Sequence, residues 1–259
     1  MCVNSAKSLT CELTGNTKIN DEIFTHTFEW KGPSPRAGQF FMVKPLRCSF
    51  FLPRPLAVMG YSDTSHTVKF LIARRGKGTG ELAKMRIGEE AELTGPLGNA
   101  WTDFLPEGRK AALISGSAGV APLAALVSER QNYDFYFYAG FGNGFRNKRE
   151  EAAVLDAAVN AKKLITAAED GVNAPRGRIV DFFERGDTDI VFACGSLPML
   201  KAVKEKCIKF SLPCFLSLEN RMACGTGACL GCTIRTVNGN RRVCADGPIF
   251  PAEEILFDE

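Results

Sequence analysis

Long apolar runs are missing from this chain: no stretch approaches the roughly 20 apolar residues that a bilayer-spanning helix requires. Met1 to Thr10 hold no apolar segment of the kind that opens a secretion signal. Neither sign of charge is in excess, and the net +3 is too small to mark a nucleic-acid or membrane surface. Internal repeats and low-complexity tracts are absent. Histidine is scarce: His26 and His66 are the only two, and both fall in alternating, strand-like stretches where a surface or hydrogen-bonded side chain is expected rather than a ligand. These absences predict a cytoplasmic globular protein with neither nucleic acid nor membrane among its partners. The 259 residues suffice for about two domains with separate cores.

Cysteine, by contrast, is plentiful. With ten cysteines and no secretion signal, metal or redox use is favoured over disulfides. Cys224, Cys229, Cys232 and Cys244 are spaced C-x4-C-x2-C-x11-C, and the first three reproduce a plant-type [2Fe-2S] spacing. The residues between them are small, with Gly225, Gly227 and Gly231 free to turn and to aim N–H groups at sulfur. A closed four-thiolate zinc site is the alternative, although such sites usually pair two short C-x2-C knuckles. Cys2, Cys11, Cys48, Cys207 and Cys214 are scattered singly and are expected in the core.

The hydrophobic pattern changes twice along the chain. From Ser8 to about Gly95 it reads as short alternating strands, among them 22–30, 39–44, 55–61 and 67–73, which predict an antiparallel sheet or small barrel. From Lys110 to Leu216 apolar runs alternate with helical stretches (120–130, 148–158, 197–209), the rhythm of a doubly wound parallel sheet. The last stretch, Glu219 to Glu259, carries a hairpin signal at Val237-Asn238-Gly239-Asn240 and is small enough to need a metal centre to fold.

Three segments of the strand-rich part suit a flavin. Arg54-Pro55-Leu56-Ala57 places a forked guanidinium donor at a strand start, fit for a diphosphate. Gly76-Lys77-Gly78-Thr79-Gly80 precedes a helical-looking 81–85 and offers amides and a hydroxyl to an anion. Gly95-Pro96-Leu97-Gly98-Asn99 reads as a tight closing turn. In the second part, Gly116 and Gly119 after an apolar strand leave room for a dinucleotide backbone, and Pro122 suits a first helical turn. Cys194 and Gly195 end a later strand of the same sheet and are expected to face the same crevice. Each segment taken alone has an ordinary structural explanation; their order is what points one way.

That order, R-P-L-A, G-K-G-T, G-P-L-G-N, G-V-A-P-L, C-G-x-x-P-M-L, E-N-R-M-A-C-G-T-G-A-C-L-G-C and V-C-A-D-G-P-I-F, resembles the ferredoxin-NADP reductase superfamily. More narrowly it is similar to the electron-transfer subunits of class 1B dihydroorotate dehydrogenases. The resemblance implies an FAD-binding β-barrel at 1–100, an NAD-binding α/β domain at 101–216 and a [2Fe-2S] lobe at 217–259. It implies that Arg54, Pro55, Leu56 and Ala57 line the FAD, that Gly78 and Thr79 hold its pyrophosphate, and that Gly116, Gly119 and Pro122 form the nicotinamide-nucleotide loop. Cys194 and Gly195 would approach the nicotinamide, Cys194 being the one candidate for a catalytic position. Cys224, Cys229, Cys232 and Cys244 would hold the cluster. The sequence departs from the family pattern at Ala57, where Ser or Thr is usual, and at Ser117, Ala118 and Ser196.

The implied activity is electron transfer in pyrimidine biosynthesis. A separate FMN-containing dihydroorotate dehydrogenase catalytic subunit, assembled with this chain in a heterotetramer, would oxidise dihydroorotate to orotate. Electrons would then cross through the cluster and FAD to NAD+. Related reductase subunits serving a hydrogenase, a sulfite reductase or a bifurcating transhydrogenase share the same cofactors, and a non-enzymatic zinc-stabilised module is a third possibility. Arg146, Lys148 and Arg149 follow the second strand of the nucleotide domain and leave NADP open as a 2′-phosphate partner, although a solvated helix face is the commoner explanation for such a run.

Overall fold

The computed structural model describes residues 6–257. Six strands, β1 (Lys7–Lys18), β2 (Ile23–Glu29), β3 (Phe40–Pro45), β4 (Arg54–Ser62), β5 (Thr67–Ala73) and β6 (Glu90–Leu97), close an antiparallel barrel in the order β1-β2-β5-β4-β3-β6. Its interior is filled by Leu13, Phe28, Trp30, Phe41, Phe70 and Leu93 and their neighbours, a packed core rather than a pore. A single short helix, α1 (Lys77–Leu82), interrupts the barrel between β5 and β6.

The rest of the chain builds β7 (Ala111–Gly116), α2 (Val120–Glu129), β8 (Phe135–Phe141), α3 (Lys148–Leu155), β9 (Lys163–Ala168), α4 (Ile179–Phe182), β10 (Ile190–Cys194), α5 (Leu197–Phe210) and β11 (Cys214–Ser217). The C-terminal segment adds β12 (Thr233–Thr236), β13 (Gly239–Arg242), α6 (Val243–Asp246) and β14 (Ile249–Pro251). The main sheet has the order β14-β11-β10-β7-β8-β9, with β7 to β11 parallel and β14 antiparallel at the edge beside β11. Crossing from β7 to β8 on one side and to β10 on the other makes β7 a switch point, and its carboxyl end faces the barrel.

Two apolar clusters flank this sheet. One joins α2 and α3 to Met59 and Leu71 of the barrel, which explains why Val120 to Val127 of α2 are buried on every side. The other packs α5 (Leu200, Val203) against β11 (Leu216), and takes in Phe40, Met42 and Leu97 of the barrel with Cys232, Val243, Cys244 and Phe250 of the C-terminal segment. That segment, expected to depend on a metal for its core, therefore shares a core with the sheet and the barrel.

Some local expectations are corrected and others, the C-terminal hairpin among them, are met. The glycine-rich segment 76–80 does not precede a helix; Lys77 to Leu82 is the helix, because the Thr79 hydroxyl turns back to accept from the Arg75 and Gly76 amides at 3.0 and 3.2 Å. Gly95, Pro96 and Leu97 lie inside β6, and the turn starts one residue later at Gly98, whose φ is 77°. The C-terminal hairpin turns at Val237 and Asn238, with Thr236 opposite Gly239. His26 is neither exposed nor hydrogen-bonded: it is fully buried, and neither ring nitrogen has a partner among the described residues. Cys11, Cys207 and Cys214 are buried as expected, Cys48 is half-buried on a loop, and Cys2 lies outside the described residues.

Candidate functional site

A cleft of about 550 Å³ opens where the barrel, the carboxyl ends of β7, β8 and β10, and the C-terminal segment meet. From the barrel it is lined by Phe40, Pro55, Leu56, Ala57, Arg75 and Thr79. Opposite them stand Gly116 to Gly119, Pro122, Cys194, Gly195 and Ser196, with Glu219, Met222 and Pro248 closing the third side. Eight of the expected cofactor positions plus Cys194 therefore share one cavity. Arg54 and Gly78 sit just outside it, against each other, because a side chain at Gly78 would collide with the Arg54 guanidinium. That guanidinium also lies 4.7 Å from the Phe50 ring centre.

The two glycines of the nucleotide loop serve a purpose besides room for a ligand. A Cβ at Gly119 would collide with the carbonyl of Cys194, and one at Gly116 would stand 2.7 Å from the Met199 sulfur. They let the β7 loop nest against the β10 loop, which is how two segments 75 residues apart in sequence form a single wall. Cys194 is 3% exposed, and burial pushes its thiol up to about 12, with the Glu219 carboxylate adding to this and Ser217 opposing it. It is a neutral thiol at physiological pH, a wall of the site rather than a nucleophile. Burial also raises the Glu219 carboxyl above its usual value, against the pull of Arg75.

In the C-terminal segment the four cysteines are carried by the loop before β12 and by α6. Gly225 (φ 71°), Gly227 (φ 84°) and Leu230 (φ 59°) take left-handed backbone, so the loop coils on itself and points amides inward. Thr226 and Cys229 N–H donate to Cys224 Sγ at 3.4 and 3.5 Å, Gly231 N–H to Cys229 Sγ at 3.5 Å, and Cys244 N–H to Cys232 Sγ at 3.4 Å. Burial raises the Cys224 thiol, but these donated hydrogen bonds outweigh it and bring it down to about 6. Cys232 and Cys244 sulfurs are 3.2 Å apart, and burial with this neighbour pushes Cys244 up to about 12. Two thiolates at that separation require cationic charge beside them. Cys232 and Cys244 thus stand as a tight pair, and Cys224 and Cys229 are joined on the same loop through the Cys229 N–H. Four thiols on a glycine-coiled loop, with amides aimed at their sulfurs, suit an iron–sulfur cluster.

The iron–sulfur cluster binding domain of dihydroorotate dehydrogenase B matches residues 219–256. The electron transfer subunit of dihydroorotate dehydrogenase B (NAD+) from Caldanaerobacter subterraneus is 36% identical over 248 residues, covering 93% of this chain and 96% of the relative. Its counterpart in Clostridium acetobutylicum is 34% identical over 244 residues, covering 94% and 95%. The chain belongs to the dihydroorotate dehydrogenase B electron transfer subunit family. The fold agrees: the solved structure of an NADH-dependent reduced ferredoxin-NADP oxidoreductase superposes with a TM-score of 0.79 at 24% identity, covering 95% of this chain and 89% of that one.

Within the electron transfer subunit fold, three cleft or cluster neighbours escaped the sequence reading. Glu219 was visible only as the first letter of the cluster motif. Glu169 follows β9 with no motif around it, and its position in the cleft emerges from the sheet order. Arg242, next to the hairpin, reads as an ordinary surface residue until the fold sets it against the cluster loop. Among the described residues, no helix of this electron transfer subunit is long and apolar enough to cross a membrane.

Proposed function

We propose that this chain passes electrons between a catalytic dihydroorotate-oxidising subunit and NAD+, with the cluster lobe as entry port and the cleft as the place of hydride exchange. The observation that carries this reading is the shared cleft: flavin-side and nucleotide-side residues face one another across about 550 Å³, and Phe40 and Met222 line it while packing with the core that holds Cys232 and Cys244. When bound, FAD supplies the conversion between two-electron exchange with a nicotinamide and one-electron exchange with a [2Fe-2S] centre.

The chain's own residues position and insulate. Pro55, Leu56 and Ala57 give the flavin ring an apolar wall, and Arg54 with the first turn of α1 offers positive charge to its diphosphate. The β7 and β10 loops, locked by Gly119 against Cys194, hold the nicotinamide side. The neutral Cys194 thiol keeps water from the junction, and no residue needs to act as general acid or base on an organic substrate. Arginine and lysine were candidates for a 2′-phosphate, but Lys148 is paired with Glu151 at 2.8 Å and the Arg149 side chain lies outside the described residues. Arg146 is exposed and is not among the groups that face the cleft. The acidic Glu169 does face it, beside Arg178, and NAD is read as the nucleotide on that carboxylate together with the NAD+ in the relatives' names.

The partner is read as an FMN-containing catalytic subunit in a cytoplasmic heterotetramer. Cys229 is the exposed cluster cysteine, and Leu230 beside it is 61% exposed, so the port faces outward with an apolar residue at its edge. The test is anaerobic co-expression with that subunit, followed by cofactor analysis and assay of dihydroorotate-dependent NAD+ reduction. One FAD and one [2Fe-2S] per chain and turnover in the complex are expected, and Cys229→Ser should abolish the EPR signal while leaving the flavin. A colourless folded protein, or a loaded complex with no dihydroorotate-dependent activity, would overturn the proposal.

A further inference from the structure

Arg242 and Asp246 form an ion pair whose orientation bears on the cluster. Asp246 lies at the end of α6, four residues after Arg242, and takes three hydrogen bonds from it: the backbone N–H at 2.7 Å, Nε at 3.0 Å and Nη2 at 2.9 Å. The remaining nitrogen, Nη1, turns the other way and donates to the carbonyl of Gly227 at 3.4 Å, inside the loop between Cys224 and Cys229. The guanidinium is packed there so closely that a Cβ at Gly227 would stand 3.0 Å from Nη1. The pair is thus a fixed dipole: its positive end lies on the cluster loop, close enough for Cys244 and Cys232 to act on it, and its negative end, on Asp246, faces arginines and no cysteine. It is partly shielded from water, with side-chain exposures of 40% and 21%.

A [2Fe-2S] centre gains one negative charge when it accepts an electron, so a cation held beside it favours the reduced form and an anion opposes it. With only backbone amides donating to its cysteine sulfurs, a cluster in this loop would respond to hydrogen bonding and exposure alone. Here the positive end of an ion pair is added, anchored by two side-chain bonds that prevent the arginine from swinging into solvent. We propose that Arg242, positioned by Asp246, raises the reduction potential of the cluster and so sets how readily it takes electrons from the partner relative to handing them to the flavin. The inference rests on the cluster reading above, and on residues that ligate nothing.

The test is an EPR-monitored redox titration of the complete, anaerobically purified protein and three variants. Arg242→Gln should lower the midpoint potential and Asp246→Asn should raise it, each changing the reduced-to-oxidised ratio at the wild-type midpoint threefold to tenfold, a tenfold change being about 59 mV for a one-electron couple. Arg242→Lys, which keeps the charge and loses the fork, should stay between wild type and Arg242→Gln. Opposite shifts are the signature, since a pair that merely staples α6 to β13 would move the potential in the same direction, or not at all, whichever partner is removed. Shifts of one sign, unmoved potentials, or loss of the cluster from both neutralised variants would overturn the inference. An absence of any cluster from the wild-type protein would instead remove the reading on which it rests.

Discussion

His26 illustrates what a single residue hides until the fold is known. In the sequence it sits in an alternating strand beside Thr25 and Thr27, an unremarkable place. In β2 it is fully buried, with the Phe28 ring at 6.0 Å and no hydrogen-bond partner for either nitrogen among the described residues. Burial holds its pKa down at about 4, below the usual 6.5. The unfolded chain therefore takes up a proton from pH 6.5 downward that the native chain refuses until about pH 4, and stability falls with pH across that window by roughly 3 kcal/mol. His26→Leu removes this dependence, so its stability relative to wild type should be about 2 kcal/mol better at pH 5 than at pH 7.5, read from urea unfolding at the two pH values. An equal difference at both would show that the imidazole is not the source. Glu169 makes the second prediction at this scale. A carboxylate facing the cleft accepts from a ribose 2′-hydroxyl and repels a 2′-phosphate. Glu169→Gln should narrow the preference for NADH over NADPH by about tenfold, mainly through KM, and tighten binding of 2′-phospho-AMP relative to AMP; about tenfold corresponds to 1.4 kcal/mol. Unchanged ratios in both measurements would show that the nucleotide is selected elsewhere.

At the scale of elements, strand and helix periodicity located most of the barrel and nearly all of the α/β part, because half-buried strands alternate and sheet-covering helices repeat on their own periods. The misplaced elements share a cause. The glycine-rich segment lacks helix propensity, yet Lys77–Leu82 is helical because the Thr79 hydroxyl accepts from two orphan amides. Pro96 reads as a turn, but it lies in β6, which pairs with β1 as far as Gly95 and with β3 at Leu97. Gly119 was legible as special, though for half of the reason: besides leaving space toward the cleft, it admits the Cys194 carbonyl of the next loop. Gly119→Ala forces those loops apart at a cost of about 1–3 kcal/mol. It should raise KM for NADH at least severalfold with FAD content unchanged, measured as NADH–ferricyanide activity against flavin absorbance. Loss of FAD with unaltered NADH binding would mean that the loop serves the other side of the cleft.

For the whole molecule, the decisive arrangement is that three sequence-distinct regions share cores and a cleft. Asn99, just beyond the barrel, clamps the C-terminal segment by donating to the Ile249 carbonyl at 2.8 Å and accepting from its N–H at 3.0 Å. Its own N–H donates to the Gly247 carbonyl at 2.8 Å. Asn99→Ala leaves the Ile249 groups unpaired in a half-buried junction, a loss of about 1–3 kcal/mol. The expected outcome is a lower denaturation midpoint and slower reduction of the flavin through the cluster, seen by stopped-flow absorbance; a slower electron transfer with no loss of stability would locate the clamp's role elsewhere. The sequence by itself determined the spacing of the candidate cluster cysteines, the order of the candidate flavin and nucleotide segments and the alternation of fold types, because spacing, small residues and hydrophobic period are local properties of the chain. Only the tertiary structure decided which residues face the shared cleft, why Gly119 must be glycine, and that Arg242 lies against the cysteine loop and Glu169 in the cleft. Those depend on contacts between segments far apart in the chain, which no local pattern encodes.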